Sequence, residues 1–206
     1  MTSFINVNKI NNILFFNPRI IKDNDYKRRQ YEKLFNESDK LEIYPKQDNG
    51  EKQKISEFKN FRNELYKDIR SSKKFCDGIM ATYVKESLST CDFILRVESS
   101  QTRSKKINGF ATLKFIKGSK SLYVDVICTN TDIKGTGTYM VNLLSEISDM
   151  LSLESIKLSS ATQAVPFYLK TDFKCDPLCK MKKEITGGSK TRKNKVNYNC
   201  TTKKRH

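Results

Sequence analysis

Two glycines one residue apart, Gly135 and Gly137, stand where the apolar run LYVDVIC (residues 122–128) gives way to a helical pattern. At a helix start the first N–H groups lack intrahelical acceptors and the dipole is positive, so glycines there let a backbone close on an anion such as phosphate. The common phosphate motifs do not fit. A Walker loop needs four residues between its glycines and a Lys-Ser or Lys-Thr after them, and a dinucleotide fingerprint needs a third glycine where Met140 stands. The plainer alternative is a glycine-rich turn that only begins a helix.

A second cluster, Phe167-Tyr168-Leu169 followed by Phe173, comes after ATQAVP. A neutral phenol fixed on a helix start can give its proton to a leaving group; the alternative for Tyr168 is a core aromatic with a satisfied hydroxyl. Asp125 is the sole acid in LYVDVIC. A carboxylate in a half-buried strand needs a partner or a task, as a base, a substrate anchor or a structural ion. Other chemistries lack their parts. The one histidine is His206, which leaves no Ser-His-Asp triad. Cys175 and Cys179 have CxxxC spacing with no second pair beside them, a poor metal site. Cys128 has no imidazole to activate it and reads as a buried thiol.

The elements that must position these residues follow from hydrophobic period. NILFF (residues 12–16) reads as a short strand. DNDYKRRQYEKLFNES and EKQKISEFKNFRNELYKDIRSS read as amphipathic helices, joined by the turn-rich link LEIYPKQDNG. Residues 76–90 continue as an ambiguous helix to Leu88. From residue 91 the period changes to two: residues 91–98, 107–116 and 121–129 form a three-strand meander, with a hairpin at Gly118, Ser119 and Lys120. A helix bearing Met140, Val141, Leu143, Leu144, Ile147, Met150 and Leu151 follows. The next strand, residues 154–161, should lie parallel to the strand ending at Cys128, because a crossover helix separates them. The glycines thus occupy the strand-to-helix turn of a βαβ unit.

The order of these features resembles the GNAT superfamily of acetyl-CoA-dependent N-acetyltransferases over residues 91 to about 175. The matching motifs are Asp132-Ile133-Lys134-Gly135-Thr136-Gly137 and Phe167-Tyr168-Leu169-Lys170-Thr171-Asp172-Phe173. Two positions depart from the family pattern: Asp132 stands where Gln or Arg is usual, and Asp172 where glycine is usual. The resemblance implies a mixed α/β fold, α+β-like, with an antiparallel meander, a βαβ acetyl-CoA unit and flanking helices. It implies that the pantetheine arm pairs with a splayed strand end at Val126, Ile127 and Cys128. The pyrophosphate would rest on amides of Lys134, Gly135, Thr136, Gly137 and Thr138. Tyr168 would protonate the departing thiolate, and Asp125 would serve as base or substrate anchor. The implied activity is acetyl transfer to a primary amine; the alternative is a catalytically lapsed module used in nucleic-acid binding or virion assembly.

Composition bounds the rest. At 206 residues with 37% apolar content the chain can bury one core. We expect a helical region over residues 1–75 packed on a core of residues 76–179, then a basic tail, 180–206. That tail holds ten Lys or Arg against one acid, few large apolar residues and a Gly-Gly pair, the composition of a disordered segment able to bind nucleic acid or another polyanion. No apolar run approaches the roughly 18 residues of a membrane helix. Six scattered cysteines favour reduced thiols in an intracellular compartment over a disulfide framework. The Asn, Lys and Ile excess suggests an AT-rich genome, and GGSKTRKNK resembles the basic tails of large DNA virus proteins, which would place the chain in host cytoplasm or virion.

Overall fold

The computed structural model of the chain describes residues 3–5, 10–71, 75–76, 79–99, 106–177 and 197–202. Its strands are β1 Ser3–Phe4, β2 Ile10–Phe16, β3 Glu42–Tyr44, β4 Phe93–Ser99, β5 Lys106–Ile116, β6 Ser121–Thr129, β7 Ile133–Lys134, β8 Ser155–Ala161, β9 Lys174–Pro177 and β10 Asn197–Thr201. Its helices are α1 Pro18–Lys22, α2 Asp25–Glu37, α3 Glu51–Ser71, α4 Ala81–Thr90, α5 Thr136–Met150 and α6 Val165–Leu169. Eight strands form one sheet in the order β3-β2-β4-β5-β6-β8-β10-β9. The β2/β3 and β6/β8 pairs are parallel and the others antiparallel. This is the mixed α/β architecture expected, with the meander and the βαβ unit in their expected places.

Local sequence accounts for the helix starts. Asn17 caps α1, its side chain accepting from Arg19 N, with Pro18 in the first turn where a missing N–H costs nothing. Asn24 caps α2 through Lys27 N. Alternation along β2 then assigns the faces. Leu14 and Phe16 join one buried cluster with Tyr31 and Leu34 of α2 and Met140, Leu144 and Ile147 of α5. Phe15 joins a second cluster with Phe58 and Leu65 of α3 and Val84 and Leu88 of α4. The sheet is therefore covered on both faces: α2 and α5 on one, α3 and α4 on the other. Each fully buried aliphatic or aromatic side chain contributes about 1.5–3 kcal/mol, so these faces hold the helices in place.

Three expectations are corrected. The link LEIYPKQDNG contains the edge strand β3, because Ile43 and Leu41 find buried partners that a turn-rich composition does not announce. The basic tail is structured at residues 197–201: β10 lies between β8 and β9, pairing Tyr198 with Ser160 and with Pro177, and Cys200 is fully buried. An antiparallel slot between two strands supplies backbone partners that outweigh low local hydrophobicity. The remainder of that expected tail, 178–196 and 203–206, lies outside the described residues. Finally, the thiols are not all reduced. Cys76–Cys128 and Cys175–Cys200 are disulfides, and among the described residues Cys91 is the free, buried thiol. Cys175 and Cys200 meet because β10 registers them directly opposite each other, Cα atoms 4.1 Å apart, which a separation of 25 residues could not reveal. The inference of an intracellular compartment loses its premise. Among the described residues no helix is long and apolar enough to cross a membrane.

Deleting residues 182–206 removes β10 and Cys200 together. Closing a 25-residue loop is worth about 3.5 kcal/mol in the chain-entropy picture, and each kcal/mol moves the midpoint about 2–4 °C at this size. The truncated protein is expected to melt at least about 10 °C below the full chain by circular dichroism. An unchanged melting curve would show that the strand is not part of the folded core.

Candidate functional site

The site begins with one extra residue in β6. Its register with β5 steps from Leu113↔Val124 to Thr112↔Val126, so Asp125 has no opposite number. A bulge of this kind bends its strand and shifts the side-chain alternation. Val124 accordingly joins the α5-side cluster, and Val126 and Cys128 join the α3/α4-side cluster. A directed chain of hydrogen bonds locks the bulge. Val126 N–H donates to Thr112 Oγ1 (3.0 Å), and Ser87 Oγ donates to Asp125 Oδ2 (2.6 Å). Since Ser87 spends its proton on Asp125, the 2.6 Å contact between Thr112 and Ser87 has Thr112 as donor.

Asp125 also accepts from Tyr83 Oη (2.7 Å) and from Lys114 Nζ (3.2 Å). Burial alone would raise its carboxyl, but the bonds from Ser87, Tyr83 and Lys114, with the Lys114 charge, outweigh it and hold the group below its ordinary value. A carboxylate so supplied with donors is a weak proton acceptor. Asp125, expected as base or anchor, ties β6 to α4 through these bonds and also lines the cleft at the end of β6.

Beyond the bulge β6 leaves β8. Their parallel ladder runs from Ser121↔Ser155 to Val124↔Leu158 and stops. Past that point β8 keeps β10 on its other side, through Ala161↔Asn197. The gap is a cleft of about 300 Å³ with Val126, Ile127 and Cys128 on one wall and Ser159 and Ser160 on the other. Cys76 and Ile79 reach it from the α3–α4 connection, held there by the disulfide to Cys128.

Tyr168 closes the cleft from α6. It is 6% exposed and packs edge-on against Phe167 and Phe173, ring centroids 5.1 and 5.4 Å away. Burial pushes its phenol up to about 12, so the proton stays on oxygen at neutral pH. No described residue hydrogen-bonds its hydroxyl. Asp172 adopts a left-handed backbone (φ 62°) that Asp tolerates better than most side chains. The turn it makes sets Phe173 against Tyr168.

The glycines answer to close neighbours. Gly135 caps α5 with φ 86°, and a Cβ there would lie 3.2 Å from the Ile5 side chain. Ile5 arrives because β1 pairs in parallel with β7, and Ile5 N donates to Lys134 O (3.0 Å). A Cβ on Gly137 would lie 3.2 Å from the Phe167 ring, so this glycine lets α6 dock on the first turn of α5. Thr136 is buried, its hydroxyl donating to Ile133 O (3.1 Å). Lys134, Gly135, Thr136, Gly137 and Thr138 are not part of the cleft wall. Thr138 lines a separate polar groove of about 550 Å³ between α5 and the α6 turn.

The structure thus brings Tyr168 together with Val126, Ile127 and Cys128, sets the glycine loop beside them, and keeps Asp125 on the cleft lining with its carboxylate bonded to Ser87, Tyr83 and Lys114. Sequence reasoning missed the Ser87–Thr112 network and the buried Glu98 of β4. A charged residue inside the run FILRVES was the available signal for the latter.

No protein-family model matches the chain, and no curated protein matches it. Solved structures resemble it at a distance. Tetrahymena GCN5 shares 12% identity over 76% of this chain and 92% of its own, with a TM-score of 0.44. A chimera of spermidine N-acetyltransferase SpeG from Vibrio cholerae and hSSAT shares 15% over 95% of each chain, TM-score 0.44. Nourseothricin acetyltransferase shares 14% over 54% of this chain, TM-score 0.41, and the chain spans 64% of its length.

Acid titration tests the bulge lock. Because the folded carboxyl of Asp125 lies below its ordinary 3.8, its contribution is complete above that pH and is lost as pH falls through the folded value. Urea midpoints of wild type and Asp125→Asn should differ by a constant amount above about pH 5 and converge below about 3.8. A gap that does not narrow in acid would separate the lock from the ionised carboxylate.

Proposed function

We propose that this protein transfers an acetyl group from acetyl-CoA to a primary amine. The observation that carries the reading is the parted end of the β6/β8 ladder, with Tyr168 closing the cleft between the strands. A strand edge freed of its neighbour offers main-chain N–H and C=O groups at strand spacing, which suits the two amides of a pantetheine arm. The first turn of α5 beside it has N–H groups without intrahelical acceptors, which suits the pyrophosphate.

The chemistry needs little more than placement. The amine nitrogen attacks the thioester carbon, the C–S bond breaks, and sulfur takes the proton of Tyr168 while the acceptor nitrogen loses one to water. Holding the two reactants in contact supplies most of the acceleration. Direct attack is favoured over a cysteinyl intermediate: Cys128 is disulfide-bonded, and Cys91 is fully buried with its thiol pushed up to about 12 by burial first and the neighbouring Asp92 charge second. Tyr168 remains neutral while charge builds on sulfur, which is when a proton donor acts.

Calorimetry with acetyl-CoA is expected to give one site per chain, with desulfo-CoA competing. Tyr168→Phe should bind acetyl-CoA nearly as well as wild type and lower kcat about tenfold or more on an amine acceptor. A flat trace for acetyl-CoA with the folded wild-type chain would overturn the reading. Wild-type turnover in the phenylalanine variant would return Tyr168 to the core.

A further inference from the structure

The helix α3 sorts its charges by flank. At 3.6 residues per turn, Lys52, Lys59, Arg62, Lys67 and Arg70 fall on one arc of about 140°, and no acid falls among them. Glu57, Glu64 and Asp68 occupy the opposite flank, and Glu51, in the first turn, is spent on Lys22 (2.8 Å). A helix made only for solubility intersperses its signs and gains from ion pairs four residues apart. Here Lys59 and Arg62 stand three apart and Lys59 and Lys67 two turns apart on the same flank, so like charges are gathered against their own repulsion.

None of these cations, nor Lys85 of α4, forms an ion pair with a described residue. Arg62 is half-buried and the others are exposed. Arg70 lies over the Tyr66 ring, 5.9 Å from its centroid, which leaves its charge unneutralised. Positive charge gathered on one flank without internal partners is what a polyanion neutralises, with release of its counterions.

The shape selects the class of polyanion. The basic arc runs into a groove of about 350 Å³ between α3 and α4. Leu88 and Tyr66 supply its apolar lining, Arg62 and Lys85 its positive charge, and Asn63 and Glu86 an amide and a carboxylate. A cavity of that size takes in one small planar group and excludes a duplex. An aromatic ring set between cations stacks an unpaired base while the phosphates on either side are neutralised, and a guanidinium plane serves the same end. The amide and the carboxylate suit the polar edge of such a base. From Lys52 to Arg70 the arc extends about 27 Å along the helix axis, roughly eight nucleotide rises. An anionic lipid surface fits less well, because a lipid-binding helix inserts exposed apolar side chains and α3 has none. Among the described residues the exposed large apolar side chains are Phe4, Ile79, Met80, Tyr83, Ile116 and Leu169.

We infer that the α3–α4 groove and the basic arc of α3 bind single-stranded nucleic acid, an unpaired base resting against Tyr66 and Arg70 and its flanking phosphates on Arg62 and Lys85. The surface uses no residue of the segment 180–206 and stands whether or not the cleft transfers an acyl group.

The test is fluorescence anisotropy of the full chain with a labelled, mixed-sequence DNA strand of about 12 nucleotides, titrated at several salt concentrations without acetyl-CoA. The double variant Arg62→Gln with Lys85→Gln should weaken binding about tenfold or more and lower the slope of log K against log salt by about 1.4, two contacts at about 0.7 each on a single strand. Tyr66→Leu should weaken binding about fivefold or more with the slope unchanged, since stacking releases no counterions. Tyr66 packs partly against the α3/α4 cluster, and the double variant keeps the test valid if the Tyr66 variant fails to fold. Lys190→Gln with Arg192→Gln removes the same charge from elsewhere in the chain and should cost less than the α3–α4 pair. Absence of binding by wild type at low ionic strength, equal losses in the two double variants, wild-type affinity in a folded Tyr66→Leu, tighter binding of the matching duplex, or displacement of the strand by vesicles of anionic phospholipid would overturn the assignment.

Discussion

A single surplus residue in β6 governs the architecture of the cleft. Asp125 interrupts the pairing with β5, and a strand that carries a bulge must turn. Without the turn, β6 and β8 would continue their parallel ladder past Val124 and Leu158, and no cleft would open between them. The bulge is itself costly, since it disrupts a ladder inside a buried sheet. Thr112, Ser87 and Asp125 offset that by returning the Val126 N–H to a carboxylate through two hydroxyls. A typical buried hydrogen bond contributes about 0.5–1.5 kcal/mol, and an orphaned donor there costs about 1–3. Asp125 thus fastens the strand that shapes the site.

The opposite wall depends on the end of the chain. β8 can part from β6 because β10 occupies its other edge, and β10 in turn is tied to β9 by Cys175–Cys200. The second disulfide, Cys76–Cys128, holds the α3–α4 connection at the mouth of the same cleft. Both covalent links therefore bear on one feature.

Charge is distributed against the net balance. A chain at +16 places four glutamates in one groove, and it buries Glu98 beside Arg96 rather than exposing both. α3 sorts its own charges to match, with Glu57 and Glu64 toward that groove and Arg62 toward α4.

Much was legible in the sequence because it is local. Period two in residues 107–116 and 121–129, period 3.6 in α3 and α5, and the turn at residues 118–120 specified the meander, the helices and the crossover through contacts within a few residues. The glycines at 135 and 137 announced close approach, and the aromatic cluster around Tyr168 announced a packed helix start. Tertiary structure alone decided what approaches: Ile5 at Gly135 and Phe167 at Gly137, from segments 130 and 30 residues distant in the chain respectively. It decided that Asp125 faces α4, because a bulge shifts alternation and no one-dimensional pattern records an unpaired residue. It also placed Cys200 opposite Cys175 and Asn197–Thr201 inside the sheet. A strand formed by filling a slot takes its stability from neighbours remote in the chain, and composition, which saw there only a basic tail, has no access to them.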